Sequence, residues 1–252
     1  MRCFKTEIEQ MKIALIGYGK MGHAIEQIAL QRGHEIVSVI DVNNQEDFTS
    51  DAFKSADVAI EFSMPAVAMD NYRRAFAAGV PVVSGTTGWL EHLPEIKEAC
   101  KAGQTFFYAS NFSLGVNIFF ALNKYLAKIM NDFPAYDVRM VETHHVHKLD
   151  APSGTAVMLF DSLNEARGGD LVPVYDRQSR REARNPHEVG MSSVRGGTMV
   201  GEHSVFFFGR DEVIEIRHQA FSRQVFATGA LRSAKYLVDK LPGLYDMDDV
   251  IG

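Results

Sequence analysis

The spacing of apolar residues changes character about midway along the chain. In the first half, short contiguous apolar runs alternate with longer stretches of helical period. The runs at 12–17, 35–40, 58–62, 80–84 and 105–108 predict strands, and the stretches at 20–32, 66–78 and 93–102 predict helices. Pro94 falls in the last helix where a first turn tolerates proline. Strands of this kind, most of them separated by helices, predict a parallel sheet covered on both faces. The β-α-β-α order is that of a doubly wound domain.

Near Asn111 the pattern shifts. Residues 114–130 read as a helix with Val116, Phe119, Phe120, Leu126 and Ile129 as apolar positions, and strands follow at 136–143, 191–195, 204–208 and 213–218. From Ile214 onward the last strand alternates apolar and polar residues, which predicts a mostly antiparallel sheet with one polar face. A helix over 225–240, ended by Pro242-Gly243, closes the chain. The expected fold class is α/β: an N-terminal doubly wound domain from 11–112 and 222–252, plus an inserted α+β domain at 113–221 with a mixed or antiparallel sheet. Residues 1–10, ahead of Met11, read as an extra and dispensable arm.

Bulk properties narrow the function classes. A chain of 252 residues makes one large or two modest domains, and 46% hydrophobic residues fits a packed globular protein. A net charge of −6 disfavours nucleic acid as a partner, because such binding needs a cationic surplus. No apolar run approaches the ~20 residues of a membrane span. Arg2, Lys5, Glu7 and Glu9 leave the N-terminus without the apolar centre of a signal peptide. Cys3 and Cys100 form no disulfide framework and no metal-ligand spacing, so a reducing cytoplasm is the expected setting.

Gly17-Tyr18-Gly19-Lys20-Met21-Gly22 is a G-x-G-x-x-G turn between a strand and a helix. The first glycine permits the turn, the second admits a pyrophosphate to the backbone, and the third allows close packing of helix on strand. The helix N-terminus adds free N–H groups for the anion. This context predicts a Rossmann dinucleotide site. Asp41 ends the second strand ~24 residues beyond Gly17, near the ~20 expected of the acid that binds the adenosine ribose. Its bland reading is an exposed loop acid. Val42 follows it, so no adjacent arginine is ready for a 2′-phosphate, although Lys20 is an alternative. The cofactor expected is NADH or NADPH, leaning to NADH. Gly85-Thr86-Thr87-Gly88 closes the fourth strand, where backbone and threonine hydroxyls can meet the nicotinamide end. Ala109-Ser110-Asn111-Phe112 closes the fifth strand and can floor the nicotinamide. A plain turn and a plain hinge are the alternatives for these two loops.

The most informative stretch runs Glu142-Thr143-His144-His145-Val146-His147-Lys148-Leu149-Asp150-Ala151-Pro152-Ser153-Gly154-Thr155. It spans a strand end, a loop and a helix start. Histidine exchanges protons near neutral pH, lysine offers charge to a carboxylate or imine, and the helix start offers N–H groups to an anion. An acid and a carboxylate clamp therefore lie at the two ends of one loop. A metal site is an alternative, but the spacing lacks H-E-x-x-H and no cysteine is nearby, so no metal is expected. Without a G-x-S-x-G elbow, Ser153 is not expected to be a hydrolase nucleophile.

The same stretch resembles the E-x-H-H-x-x-K-x-D-x-P-S-G-T signature of dihydrodipicolinate reductases. The resemblance extends over nearly the whole chain from Lys12, through Gly85–Gly88, Asn111–Asn117, Ser193–Gly197, Val200–His203 and Ala227–Ala234. It implies reduction of dihydrodipicolinate, formed from 4-hydroxy-tetrahydrodipicolinate, to tetrahydrodipicolinate in diaminopimelate and lysine biosynthesis. It implies His144 as general acid, Lys148 as a substrate-binding and charge-stabilising group, and His145, Gly154 and Thr155 as substrate contacts. It further implies that Gly17–Gly22, Asp41, Gly85–Thr87 and Ala109–Phe112 hold the cofactor. A small cyclic dicarboxylate is then the substrate and the assembly a homotetramer joined through the sheets of the second domain. Separately, domain closure is expected to bring Lys148 and Thr155 to the nicotinamide and exclude water. The glycine loop is one residue shorter than in the best-known members. Lys20 stands where those have Arg, Glu61 replaces a common Asp, and Asp41 replaces a common Glu. These departures bear on cofactor choice. Rival readings are another two-domain NAD(P)-dependent dehydrogenase, a non-catalytic NAD(H) sensor, and a metal-dependent hydrolase.

Overall fold

The computed structural model describes residues 10–175, 177, 179 and 181–252; Cys3 and most of the expected arm fall outside these. The chain divides into two compact units: residues up to Leu114 together with Gln224–Gly252, and Gly115–Arg223.

The first unit is built on β1 (Lys12–Ile16), α1 (Lys20–Gln31), β2 (Glu35–Ile40), α2 (Asp51–Lys54), β3 (Val58–Glu61), α3 (Pro65–Ala77), β4 (Val82–Ser84), α4 (Leu93–Lys101) and β5 (Thr105–Tyr108). All pairings are parallel, in the order β5-β4-β3-β1-β2. Every residue of β3 is buried, as are four of the five in β1, because helices cover both faces of the sheet. One core lies between α1, the sheet and a returning helix; the other holds Phe53, Tyr72, Trp89 and Phe106. In the latter, Tyr72 meets Phe106 edge-on at 4.9 Å and Trp89 at 5.3 Å, geometries worth ~0.5–1.5 kcal/mol per pair beyond area burial. The crossover from β2 to β3 is compact. It holds a 3-10 turn at Gln45–Thr49 and single-turn α2, capped by the Ser50 hydroxyl, which accepts from the Phe53 N–H.

The second unit comprises α5 (Leu114–Met130, its first residue still in the first unit), β6 (Asp137–His144), α6 (Gly154–Ala166), β7 (Val172–Val174), β8 (Glu188–Arg195), β9 (Gly201–Phe208) and β10 (Val213–Ala220). Its sheet order is β10-β9-β6-β8-β7. β9 runs antiparallel to both neighbours, whereas β6, β8 and β7 are parallel to one another. The sheet is therefore mixed, the first of the two arrangements expected for this domain, and less antiparallel than the alternation at 214–218 suggests. Val138, Met140, Val189, Met191, Val205 and Phe207 form its buried face and pack with Leu159, Phe160 and Leu163 of α6.

The first unit is completed by α7 (Gln224–Val238), β11 (Gly243–Tyr245) and α8 (Met247–Ile251). Where the sequence pattern ends the chain on a helix, β11 instead adds a sixth parallel strand beside β5, and an Asp246/Asp249 capping box starts α8. α7 lies close to the chain: a Cβ on Gly229 would come within 1.7 Å of the Phe112 carbonyl oxygen.

Candidate active site

The turn from β1 into α1 depends on its glycines. Gly17 has φ +88°, its N–H donates to the Ile40 carbonyl at 2.8 Å, and a Cβ there would lie 2.2 Å from the Phe62 carbonyl oxygen. A Cβ on Gly22 would meet the Gly17 carbonyl oxygen at 2.5 Å, whereas Gly19 faces open space. Gly19 is also the N-cap of α1, so no side chain caps the helix, and its first turn carries no acidic residue. Anion-seeking N–H groups at an uncapped helix start fit a pyrophosphate. Lys20 is exposed in that first turn, and Met21 packs against the core. The Tyr18 ring turns onto the helix beside His23, and its hydroxyl donates to Glu26, a bond that raises the phenol pKa. Asp41 shares a cleft of about 510 Å³ with Gly17, Tyr18, Gly19 and Phe62. Its main chain is engaged by Asn44 and Gln45, while its carboxylate has no hydrogen bond among the described residues. A free carboxylate at the end of β2 fits a ribose diol.

The Gly85–Gly88 loop is organised from below by Glu61. This fully buried carboxyl accepts from the Ser84 and Thr86 hydroxyls, each at 2.9 Å, and from both the hydroxyl and the N–H of Ser63. Burial pushes its pKa up, against the pull of these donors. The Thr86 hydroxyl also accepts from the Ser63 N–H at 2.8 Å. The sequence-based expectation of a ligand-facing Thr86 hydroxyl is thereby corrected: the buried carboxyl takes it. Thr87 is the exposed hydroxyl of the loop. Trp89 ties the Thr86 carbonyl from its indole N–H at 2.8 Å, and a Cβ on Gly85 would strike the Phe62 ring. In Ala109-Ser110-Asn111-Phe112, the Asn111 side chain accepts from the Ser113 N–H. The Phe112 ring is buried beside Phe107 and Phe62, so it offers a ligand main chain only.

In the second unit, strand register assembles a polar cluster at the end of β6. Glu142 stands opposite Ser193 on β8 and His203 on β9, and His144 stands opposite Arg195. Buried Glu142 bonds His144 Nδ1 through one oxygen and accepts from Arg195 Nη2 at 2.8 Å through the other. Burial opposes its ionisation, but the bonds from His144, Arg195 and Ser193 prevail and bring its pKa to about 2. His144 is itself buried, and a Cβ on Gly201 would lie 3.0 Å from its Nε2. The His203 ring is 5.1 Å from that of His144, and its Nε2 is 3.0 Å from the Ser153 hydroxyl. Burial, and then the charge of His144, lower the His203 pKa to about 4.

Ser153 is the N-cap of α6 and accepts from the Ala156 N–H at 3.2 Å. That bond uses the third N–H of the helix, leaving those of Gly154 and Thr155 at its open end. Lys148 is bound by both oxygens of Asp150, at 2.8 and 2.9 Å. His145 faces Arg223 at 3.5 Å, and its Nδ1 is buried with no hydrogen-bond partner among the described residues. Burial, followed by the charge of Arg223, lowers its pKa.

Glu142, His144 and His203 offer ligand atoms within 4.8 Å of one another. Those of Glu142 and His144 are already bonded to each other, His203 is bonded to Ser153, and Arg195 supplies the positive charge that Glu142 needs. Three residues of this cluster carried no role in the sequence reading: Glu142, Arg195 and His203. All lie inside motifs that carry the resemblance, but Glu142 and Arg195 are 53 positions apart, and only the pairing of β6 with β8 joins them.

Residues 11–112 match the family described as dihydrodipicolinate reductase, N-terminus, and residues 115–251 match dihydrodipicolinate reductase, C-terminus. A 4-hydroxy-tetrahydrodipicolinate reductase of Staphylococcus carnosus (strain TM300) is 41% identical over 247 residues, 95% of this chain and 99% of that protein. One of Christiangramia forsetii (strain DSM 17595 / CGMCC 1.15422 / KT0803) is 42% identical over 246 residues, 96% of this chain and 98% of the relative. In fold, the chain is similar to a dipicolinate-bound dihydrodipicolinate reductase from Paenisporosarcina sp. TG-14, with a TM-score of 0.74 at 23% identity over 96% of this chain and 99% of the other. Matched along both units and nearly end to end, the chain belongs to the dihydrodipicolinate reductase family.

Proposed function

We propose that this protein reduces dihydrodipicolinate, formed by loss of water from 4-hydroxy-tetrahydrodipicolinate, to tetrahydrodipicolinate in diaminopimelate and lysine biosynthesis, with NADH or NADPH as reductant. The observation that carries this reading is that a buried imidazole, His144, connects through the His203 ring and the Ser153 hydroxyl to the open start of α6. A proton donor and a carboxylate-binding helix end thus share one rigid frame, as reduction of a cyclic dicarboxylate requires.

A nicotinamide dinucleotide, held by Gly17–Gly22, Asp41 and the loops at Gly85–Thr87 and Ala109–Phe112, supplies hydride when bound. The protein's own groups do the rest. The N–H groups of Gly154 and Thr155 receive one carboxylate. His145 contacts the substrate. Lys148, released from or shared with Asp150, stabilises the charge that develops on the ring. With Nδ1 committed to Glu142, His144 delivers its proton from Nε2 to the ring carbon. The free carboxylate of Asp41 favours a ribose diol over a 2′-phosphate, so we take NADH as the preferred reductant.

Coupling the preceding synthase to this protein and following the absorbance of each reduced cofactor tests the reading. Loss of absorbance with the imine substrate is expected. His144→Ala or Lys148→Ala is expected to lower turnover ~100-fold or more, with NADH binding changed less than about threefold. An absorbance that stays constant would leave a non-catalytic NAD(H)-binding protein instead. We also propose a homotetramer formed through the second unit's sheet, where Phe208, Val213 and Ile214 are exposed apolar positions. Sedimentation velocity measures this directly. A cytoplasmic setting accords with the unpaired Cys100, whose thiol burial raises to about 11.

A further inference from the structure

We infer that Glu142 and Arg195 are positioning residues that together set which nitrogen of His144 does the chemistry, an inference resting on the general-acid reading of His144. Three observations converge. First, Glu142 closes on His144 from the Nδ1 side. The carboxylate is ionised, so it acts only as an acceptor, and Nδ1 must carry a proton in either charge state of the ring. Second, space is kept on the other side. Gly201 lies on β9, and its backbone does not need a glycine, yet a Cβ there would sit 3.0 Å from Nε2. The absent side chain keeps a Cβ from crowding Nε2. Third, Arg195 fixes the carboxylate that fixes the ring. Its Nη2 donates to Glu142 at 2.8 Å and also to the Asp150 carbonyl at 2.6 Å.

That second bond extends the consequence. The Asp150 carboxylate grips Lys148, so one guanidinium ties the proton donor's support to the residue that holds the ammonium. The intervening loop is pinned from β8 as well: the Gly196 N–H donates to the His144 carbonyl at 2.9 Å and the Val146 N–H to the Gly197 carbonyl at 3.3 Å. Arg195 and Glu142 therefore act on His144 and Lys148 through other groups, as orienting partners do for imidazoles in acid–base catalysis.

The test uses the full-length protein labelled with 15N-histidine. The His144 signals are identified by their loss in His144→Asn. In the unsubstituted protein, the nitrogen shifts should show Nδ1 protonated whenever the ring is neutral. In Glu142→Gln, the neutral ring should become a mixture of tautomers. In the same variant kcat should fall ~100-fold with the substrate KM changed less than about threefold, and the solvent deuterium isotope effect on kcat should rise as proton delivery limits turnover. Glu142→Asp should recover at least part of the rate. An unchanged tautomer in Glu142→Gln, or kcat kept within about threefold, overturns the proposal. Full turnover by His144→Asn would instead overturn the general-acid reading. The two failures are distinguishable, because the tautomer is read without turnover.

Discussion

Nε2 of His203 lies 3.0 Å from the hydroxyl of Ser153, fifty positions earlier in the chain. The pair joins β9 to the start of α6 inside the second unit, and the His203 ring also lies 5.1 Å from that of His144.

The burial of His203 beside His144 makes stability sensitive to acid. Folding holds the His203 pKa at about 4, whereas a free imidazole titrates near 6.5. Below ~6.5 the unfolded chain takes up the proton first, so unfolding becomes progressively easier. The contribution is fully present above ~6.5, declines as pH falls toward about 4 and is then exhausted, a change on the order of 3 kcal/mol. Urea midpoints at pH 8, 6 and 4.5 measure it, and His203→Gln should flatten that slope. Glu142 acts lower on the scale: its share persists above the ordinary carboxylate pKa and fades as pH falls toward about 2.

The two glycines at the β1–α1 turn should separate folding from binding. Gly19 faces open space, so Gly19→Ala should move Tm by no more than about 2 °C and raise the cofactor KM ~10-fold or more, because only a bound pyrophosphate needs that space. Gly17→Ala would combine φ +88° with a Cβ 2.2 Å from the Phe62 carbonyl and should destabilise the fold by ~2 kcal/mol or more. Calorimetry alongside cofactor titration checks both. Equal Tm losses would argue against this division.

Asp41 should control the reductant. Asp41→Ser removes a negative charge that would repel a 2′-phosphate while leaving the exposed Lys20 in place. The ratio of kcat/KM for NADPH to that for NADH is expected to rise ~10-fold or more. A ratio that does not move would mean that the ribose is read elsewhere.

Glu61→Ala should be costly despite its distance from the second unit's cluster in sequence. It would leave the Ser63, Ser84 and Thr86 hydroxyls without their common acceptor, the last two of them buried. Buried donors stranded in this way cost ~1–3 kcal/mol each before relaxation, so a net loss of ~2–4 kcal/mol is expected in denaturant titration. A change below ~1 kcal/mol would mean that water enters and satisfies them.

Much of the fold follows from local pattern. The Gly17–Gly22 turn is legible because its glycines, strand and helix are neighbours in sequence, and 114–130 is legible as a helix because seventeen residues reveal a period. β7, β11 and α2 escape such reading: three or four residues have no measurable period, and their pairing is decided elsewhere. The parallel pairing of β6 with β8 escapes it too, since apolar alternation states which face is buried and not which strand lies alongside.

The residue types for an acid, a cation and an anion-binding helix start are all present between Glu142 and Thr155, and sequence alone determined that they share one short segment. Tertiary structure decided how each is engaged. It set Arg195 against Glu142, brought His203 to Ser153, and turned the Thr86 hydroxyl inward to Glu61. The reason is physical: burying a charged or polar group demands a partner, and β-sheet register rather than chain proximity chooses which distant residue supplies it.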